Sequence, residues 1–433
     1  MGMRPKALDR RHFLKSSVQC AAAGLCASSL GLSAQASSGD STKPHGSSRG
    51  LPKELSASNF QELGTLVPQG LAALLKQYPS LRFPIEPSKA LPSTSPRAML
   101  ASFAGSNALI RSQTNPALAK MQGHLFRPRP VNLYRQGRAY PVRADGGFYE
   151  IRYWSHRVGA SALSNAPSAL WFAVKGGYLA PSSLRGDALL VHEYQPQPET
   201  AGEMTNTGQA EQAAPRDQAA QVAPADTLDT ARRQAWIYQS GSRRVRRAPD
   251  LAYDAVSDGS EGMMTADQVD GFNGATDRYD WIDLGETERL IAYNMLEGAQ
   301  ASLSANELLG RGSLKSTSFR LERHAVHQIE ARLRPGQQHI YARRLFLIDT
   351  ATKTIVMEEA FDARGGLWRV ALHGLAFHEA LGCAQIRVSV YHDLLSGGYV
   401  VTGLDPESGP VFETQRPARW TDFQPDALRR LGR

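Results

Sequence analysis

From Phe319 to Ala331 the side chains alternate. Phe319, Leu321, Ala325, Ile329 and Ala331 stand at odd positions, and Arg320, Glu322, His324, Gln328 and Glu330 at even ones, with Val326 out of step. A period of two marks a strand with one dry face and one wet face. The pattern then repeats. Arg334-Pro335-Gly336-Gln337 turns the chain into Ile340–Ile348, Asp349 to Lys353 turns it into Thr354–Phe361, and Arg364-Gly365-Gly366 into Leu367–Leu375. A last pair, Ile386–His392 and Tyr399–Leu404, is joined through Ser396-Gly397-Gly398. Earlier strand candidates are Tyr149–Trp154, Leu170–Val174, Leu189–Tyr194, Ala235–Gln239 and Arg289–Tyr293. About ten strands in mostly sequential order predict a mainly β (α+β) protein built on a large curved antiparallel sheet or open barrel.

Helical signals are confined to the beginning of this region. Ser58-Asn59 can cap one short helix. Pro68 suits the start of a second over Gln69–Gln77, with Leu71, Leu74 and Leu75 on one face. That apolar stripe makes these helices the expected cover of the sheet. Residues 79–96 contain five prolines and read as an extended connection. Between Gln195 and Thr230 the sequence is low in complexity, rich in Ala, Gln, Pro and Thr, with too little apolar surface to offset ordering. It is expected as a flexible hairpin loop at 196–230, with an interdomain linker as the alternative.

The first 36 residues read as an export signal. Arg10-Arg11-His12-Phe13-Leu14-Lys15 has the twin-arginine pattern, a weakly apolar run extends from Val18 to Leu32, and Ala34-Gln35-Ala36 offers a cleavage site. The alternative is a general secretion signal; both place the mature chain in the periplasm. Cleavage removes Arg4, Lys6, Arg10, Arg11 and Lys15 with Asp9, which lowers the net charge from +8 to +4. The basic balance therefore argues against a nucleic-acid partner. Cys20 and Cys26 leave with the signal, so Cys383 alone can form neither an internal disulfide nor a zinc cluster. Neither signal cysteine follows the small residue that lipid attachment needs, so the mature protein is expected to be soluble. After the first forty positions no stretch of eighteen apolar residues occurs, which excludes a polytopic helical membrane protein.

Motifs with chemistry are few. His324 and His327, three apart on a strand, point to opposite faces and cannot share a metal. His373, His378 and His392 could meet only across strands. Asp270, Asn273, Asp277, Asp280 and Asp283 surround Asn273-Gly274, but the spacing is not that of an EF-hand, and turn formation is the simpler role. There is no nucleophile elbow, phosphate loop, dinucleotide glycine motif or metalloprotease helix, so no catalytic, metal or cofactor residue is assigned. Two features remain. Arg243, Arg244, Arg246 and Arg247 form a basic patch able to hold a phosphate or carboxylate group, or to salt-bridge the acidic stretch. Trp154, Trp171, Phe172, Trp236, Tyr238 and Trp368 fall on or beside strands, where they either fill a core or line a concave apolar pocket. These ten residues are the ligand-binding candidates.

Several motifs together resemble the domain-of-unknown-function family 1329. They are Gln234-Ala235-Trp236-Ile237-Tyr238 leading to Arg243 through Asp254, then Asp267-Gln268-Val269-Asp270-Gly271-Phe272-Asn273-Gly274, then Asp277-Arg278-Tyr279-Asp280-Trp281 and Tyr293-Asn294. The likeness continues through Arg323-His324, Pro335-Gly336, His339-Ile340-Tyr341, Arg344, Ile348-Asp349, Asp362 and Gly366-Leu367-Trp368-Arg369. It spans roughly residues 55–407. Departures are a shortened segment around Gln122–Pro130, His327 in place of a bulky apolar residue, and an insertion at 201–230.

The resemblance implies a fold similar to the lipoprotein carriers LolA and LolB, an open half-barrel with covering helices. It also implies an exported protein of Gram-negative bacteria, encoded beside a resistance-nodulation-division (MMPL-type) exporter and an outer-membrane protein. The expected organisation is a signal at 1–36, a disordered leader at 37–55, one domain at 56–407 and a tail at 408–433. The implied role is a carrier or accessory protein for a lipid or other hydrophobic small molecule. The alternatives are a cargo-free docking protein using the arginine patch, and a periplasmic enzyme on hydrophobic substrates using Asp277, Asp280 and the same arginines.

Overall fold

The computed structural model describes residues 50–93, 110–111, 113–195, 233–295, 303–315, 319–379, 381–404 and 411–431. The export signal, most of the leader and the 196–230 segment lie outside the described residues. Two small strands, β1 (Glu54–Ser56) and β2 (Arg82–Pro84), pair with each other and flank helix α1 (Gln69–Gln77). A second helix, α2 (Pro116–Leu125), precedes the main sheet.

That sheet holds fourteen antiparallel strands. The first meander is β3 (Asn132–Val142), β4 (Ile151–Gly159), β5 (Leu170–Ala180), β6 (Ala188–Tyr194), β7 (Arg233–Gln239) and β8 (Arg244–Arg247). The second is β9 (Tyr279–Ala292), β10 (Leu321–Leu333), β11 (Arg343–Asp349), β12 (Ile355–Phe361), β13 (Leu367–His378), β14 (Cys383–Asp393) and β15 (Tyr399–Leu404). The order is 8-7-6-5-4-3-15-14-13-12-11-10-9, and β16 (Val411–Glu413) extends along β3 beyond β15. β8 and β9 are therefore the two edges of an open sheet. Residues 248–278 run from one edge to the other and cross a face of the sheet on the way. β6 and β7 are paired as a hairpin across the 196–230 segment.

The two faces are built differently. On one face, Val326, Leu347, Val370, Val388, Val390 and Val401 form an aliphatic layer. Helix α1 packs there through Leu71, Leu74 and Leu75, whose 0,3,4 spacing sets them on one stripe. Its first turn is held by the buried carboxylate of Glu359, which accepts the Gly70 N–H at 2.6 Å, an amide that a helix start leaves without an internal partner. On the other face, α2 packs Leu118, Met121 and Leu125 near Trp281, Ile329 and Phe346, and the crossing segment covers the rest. This second face carries most of the buried charge.

Several expectations change on contact with the structure. Residues 57–63 form turns rather than a first helix, and the end of the expected leader is strand β1. β9 begins ten residues before Arg289. The wet face expected of β10 is partly enclosed. Glu322 and Glu330 are buried because Asn294 and the Lys89 N–H close over the first, and Arg332 and Arg343 over the second. Residues 411–431, beyond the expected domain end, add β16 and bury Phe423 and Leu428 against β4 to β7. No helix among the described residues is long and apolar enough to cross a membrane.

Candidate functional site

Alternation along the central strands aims Arg344 and Phe346 of β11, Glu358 of β12, Arg369 and His373 of β13, and Ser389 and Tyr391 of β14 at one face. The crossing segment supplies the partners. Arg344 places Nη1 2.5 Å from Asp267 and Nε 2.6 Å from Glu358, with all three side chains enclosed. Gln268 donates to the second oxygen of Glu358 at 2.9 Å, and its own carbonyl oxygen accepts from the Tyr341 hydroxyl at 3.1 Å. Arg369 donates to that hydroxyl at 2.8 Å and to Asp393 at 3.1 Å. His339 Nε2 lies 3.3 Å from Asp267. Burial alone would lower Arg344, yet Asp267 and Glu358 raise it well above its usual value. Burial would likewise raise Asp267, and Arg344 with His339 holds it well below the carboxylate range. Removing either sign would leave buried charge uncompensated.

A second cluster lies where α2 runs into β3. Asp270 and Gly271 both adopt left-handed backbone, at φ 61° and 87°, and a Cβ on Gly271 would stand 3.0 Å from that of Ile355. This turn brings the Asp270 carboxylate to Arg127 at 2.6 Å and Arg129 at 2.5 Å. Arg157 of β4 joins them: its Nη1 donates to the Pro130 carbonyl at 3.3 Å, and its guanidinium lies 4.0 Å over the Phe172 ring. Desolvation pulls Arg127 and Arg157 down to about 9, reinforced by the neighbouring guanidinium of Arg129. Burial opposes ionisation of Asp270, but Arg127 and Arg129 hold it well below its ordinary value. His124 accepts the Ile355 N–H at Nδ1, 3.0 Å, which leaves Nε2–H to donate to the Asp270 carbonyl at 3.1 Å. His373 is pushed down to about 4 by burial, and its Nε2 is unpaired among the described residues.

Near this cluster a small cleft lies at the hairpin end of β13 and β14. It is lined by Leu133, Arg135, Leu381, Ile386, Arg387 and Phe412. Leu133 is the register partner of Arg157. Gln385, also in the cleft, donates to the Cys383 thiol, which burial raises and which feels Arg127 and Arg129.

The ligand-binding candidates do not share one place. Trp171 and Phe172 sit beside the second cluster, with Trp171 edge-on to Phe126 at 5.0 Å. Trp236 and Tyr238 belong to a separate core with Phe423, and Trp154 stacks on Tyr134 at 6.2 Å. Trp368 donates to Asp393 at 3.1 Å beside Arg369. Arg243, Arg244, Arg246 and Arg247 lie exposed on or beside the edge strand β8, without an ion pair among the described residues. Arg247 reaches back over Trp236 at 5.7 Å.

The acidic stretch disperses in the same way: Asp277 accepts from Tyr253, Asp280 from Arg334 and Asp283 from Lys120, while Asn273 accepts from Arg233. His373 bonds Ser389, His378 meets Phe412, and His392 bonds Ser313, so the three do not converge. Sequence reasoning did not single out Arg127, Arg129 or Arg157. They come from two distant segments, and only the fold unites them.

Comparison with known proteins places the chain. It is 34% identical over 271 residues to an uncharacterized protein of Pseudomonas aeruginosa, a match covering 62% of this chain; the chain spans about half, 52%, of that relative's length. Among solved structures it is similar to a DUF1329 family protein from Desulfovibrio piger, with a TM-score of 0.42 and 12% identity over 72% of this chain and 95% of that one. It is similar also to a LolA superfamily protein from Nitrosomonas europaea, with a TM-score of 0.39 and 11% identity over 72% and 98%. Residues 194–429, more than half of the chain, match the family described as Protein of unknown function (DUF1329), and they include Asp267, Gln268, Tyr341, Arg344, Glu358 and Arg369 of the buried charged face. The chain belongs to the DUF1329 family.

Proposed function

We propose that this protein is a periplasmic carrier that takes up a hydrophobic, lipid-like cargo on the charged face of its open sheet. It works with a resistance-nodulation-division exporter and an outer-membrane protein. The observation that carries this reading is how that face is covered. Its cover is a single helix and one crossing segment, seated by the apolar contacts of Leu118, Met121 and Phe272 and anchored by ion pairs and hydrogen bonds, and not a second sheet. The end of the cover at Asp270, partly exposed and not enclosed like the Arg344 network, is the part that a guest bringing apolar surface would displace. A sixteen-carbon chain would contribute roughly 12 kcal/mol gross at about 0.8 kcal/mol per methylene. Association costs of several kcal/mol reduce this to an affinity suited to pick-up and release. The cleft lined by Leu133, Ile386 and Phe412 is the natural point of entry.

A second reading rests on the arginine edge. Four exposed guanidinium groups on or beside β8, without an ion pair among the described residues, suit a docking protein that carries nothing. Native mass spectrometry of the mature protein purified without detergent, followed by organic extraction, separates the two. A stoichiometric apolar adduct supports the carrier. A clean apo mass with no uptake of a fluorescent fatty acid would overturn it. The docking reading then predicts that replacing the four arginines by glutamine abolishes co-sedimentation with outer-membrane vesicles.

A further inference from the structure

We propose that Arg127, Arg129 and Arg157 form a binding site for a phosphate-type oxyanion. Charge bookkeeping around the three guanidinium groups does not close. Asp270 answers Arg127 and Arg129, and Glu193 is held by Arg233, so among the described residues the four cations Arg127, Arg129, Arg157 and Arg233 share two carboxylates, and Arg157 feels both of these only at longer range. The other titratable neighbours supply none: burial keeps His124 and His373 as neutral rings and Cys383 as a thiol. Hydrogen bonding does not close either. The Nε–H groups of Arg129 and Arg157 are buried without a partner among the described residues. Buried donors are ordinarily paired, and guanidinium groups present their donors in forks that fit phosphate oxygens.

The Arg344 cluster on the same face shows what a structural arginine looks like here, with two carboxylates around one cation. The second site differs also in access. The Asp270 side chain is 32% exposed and that of Arg129 12%, against 3% or less for Arg344, Asp267 and Glu358. An anion reaching Arg129 from solvent would meet Arg157 within the same cluster, over the Phe172 ring.

The phosphate can be free or the head group of an amphiphile, and only the second case rests on the carrier reading. The test is calorimetric titration of the mature protein with three probes at constant ionic strength: inorganic phosphate, dodecyl phosphate and dodecyl maltoside. Saturable phosphate binding is expected, weakened tenfold or more in Arg157→Met and in Arg129→Gln and unchanged in Arg364→Gln, an exposed turn arginine away from both clusters. The Arg129 variant alters a partly exposed group and keeps the test open if Arg157→Met fails to fold.

Dodecyl phosphate binding much tighter than phosphate, through the same arginines, would identify a head-group site. Equal affinity for the two would keep the oxyanion site and remove the carrier reading. Absence of phosphate binding, or binding that survives both cluster substitutions, would overturn the proposal even if dodecyl maltoside binds.

Discussion

The two buried arginine clusters occupy the same face of the same sheet and are neutralised in opposite ways. Around Arg344, the carboxylates of Asp267 and Glu358 surround the cation; Gln268 and Thr265 donate to the oxygens that remain, His339 shares one with Arg344, and Tyr341 donates to Gln268. Around Asp270, guanidinium groups surround a carboxylate and outnumber it. A network of the first kind, whose charges are met by carboxylates although Arg344 Nη2 is buried without a hydrogen-bond partner among the described residues, fixes a chain segment in place. An open one of the second kind holds desolvated charge that its described carboxylate neighbours meet only in part. The contrast separates scaffold from site within a single layer of side chains.

The largest expected effect is on the Arg344 network. Arg344→Met should leave Asp267 and Glu358 buried without a cation and destabilise the protein by about 3–5 kcal/mol in urea unfolding. A loss below about 1 kcal/mol would remove the distinction between the clusters.

Acid should act next. His373 and His392 are held down to about 4 by burial, against 6.5 in the unfolded chain. Between those values the unfolded state binds more protons, so stability rises with pH there and is lost as pH falls from 6.5 towards 4. The loss reaches roughly 3 kcal/mol for each fully buried ring. Asp267 and Asp270, depressed in the folded state, add a further loss only below about 4. Denaturation midpoints measured from pH 7.5 down to about 2.5 check the order of these two limbs; a flat profile down to pH 4.5 would contradict the histidine assignment.

The smallest effect sharpens the comparison most. Arg157→Met removes surplus cation rather than a balancing one, and stability should stay within about 1 kcal/mol of the parent in phosphate-free buffer. A loss as large as that of Arg344→Met would make both clusters structural.

Much of the sheet was legible because its strands alternate and their turns are marked by glycine. Tyr399–Leu404 has the expected limits, and Leu367–Leu375 and Ile386–His392 were recognised and only extended. β3 escaped notice although it lies in the middle of the sheet. Gly137 and Pro141 break its pattern, and both have local reasons. A Cβ on Gly137 would stand 2.6 Å from the Tyr153 hydroxyl, and Pro141 lies opposite Val400 near the strand's end. Helix α2 carries a readable start, since Asn115 caps it and Pro116 fills its first turn, yet the sequence reading assigns no helix there.

The site was less legible than the fold. Aromatic and basic residues attracted attention by type, and the structure spreads them over several places. Asp267, Gln268, Asp270, His339, Tyr341, Arg344 and Arg369 already stood among the residues carrying the family likeness. What no spacing revealed was that they meet on one face. Charge balance belongs to neighbours in space, and these neighbours come from segments up to a hundred positions apart.

The pairing of β15 with β3 sets the order in which the molecule can be completed. Each meander can zip locally as its hairpins form, but Val142 finds Tyr399 only when nearly the whole chain exists. Until then the inner edge of β3 offers unpaired amides and carbonyls to any passing strand. Joining ends so distant in sequence is a late and slow event. Any truncation before Tyr399 would leave that seam permanently open and turn the centre of the sheet into a template for aggregation.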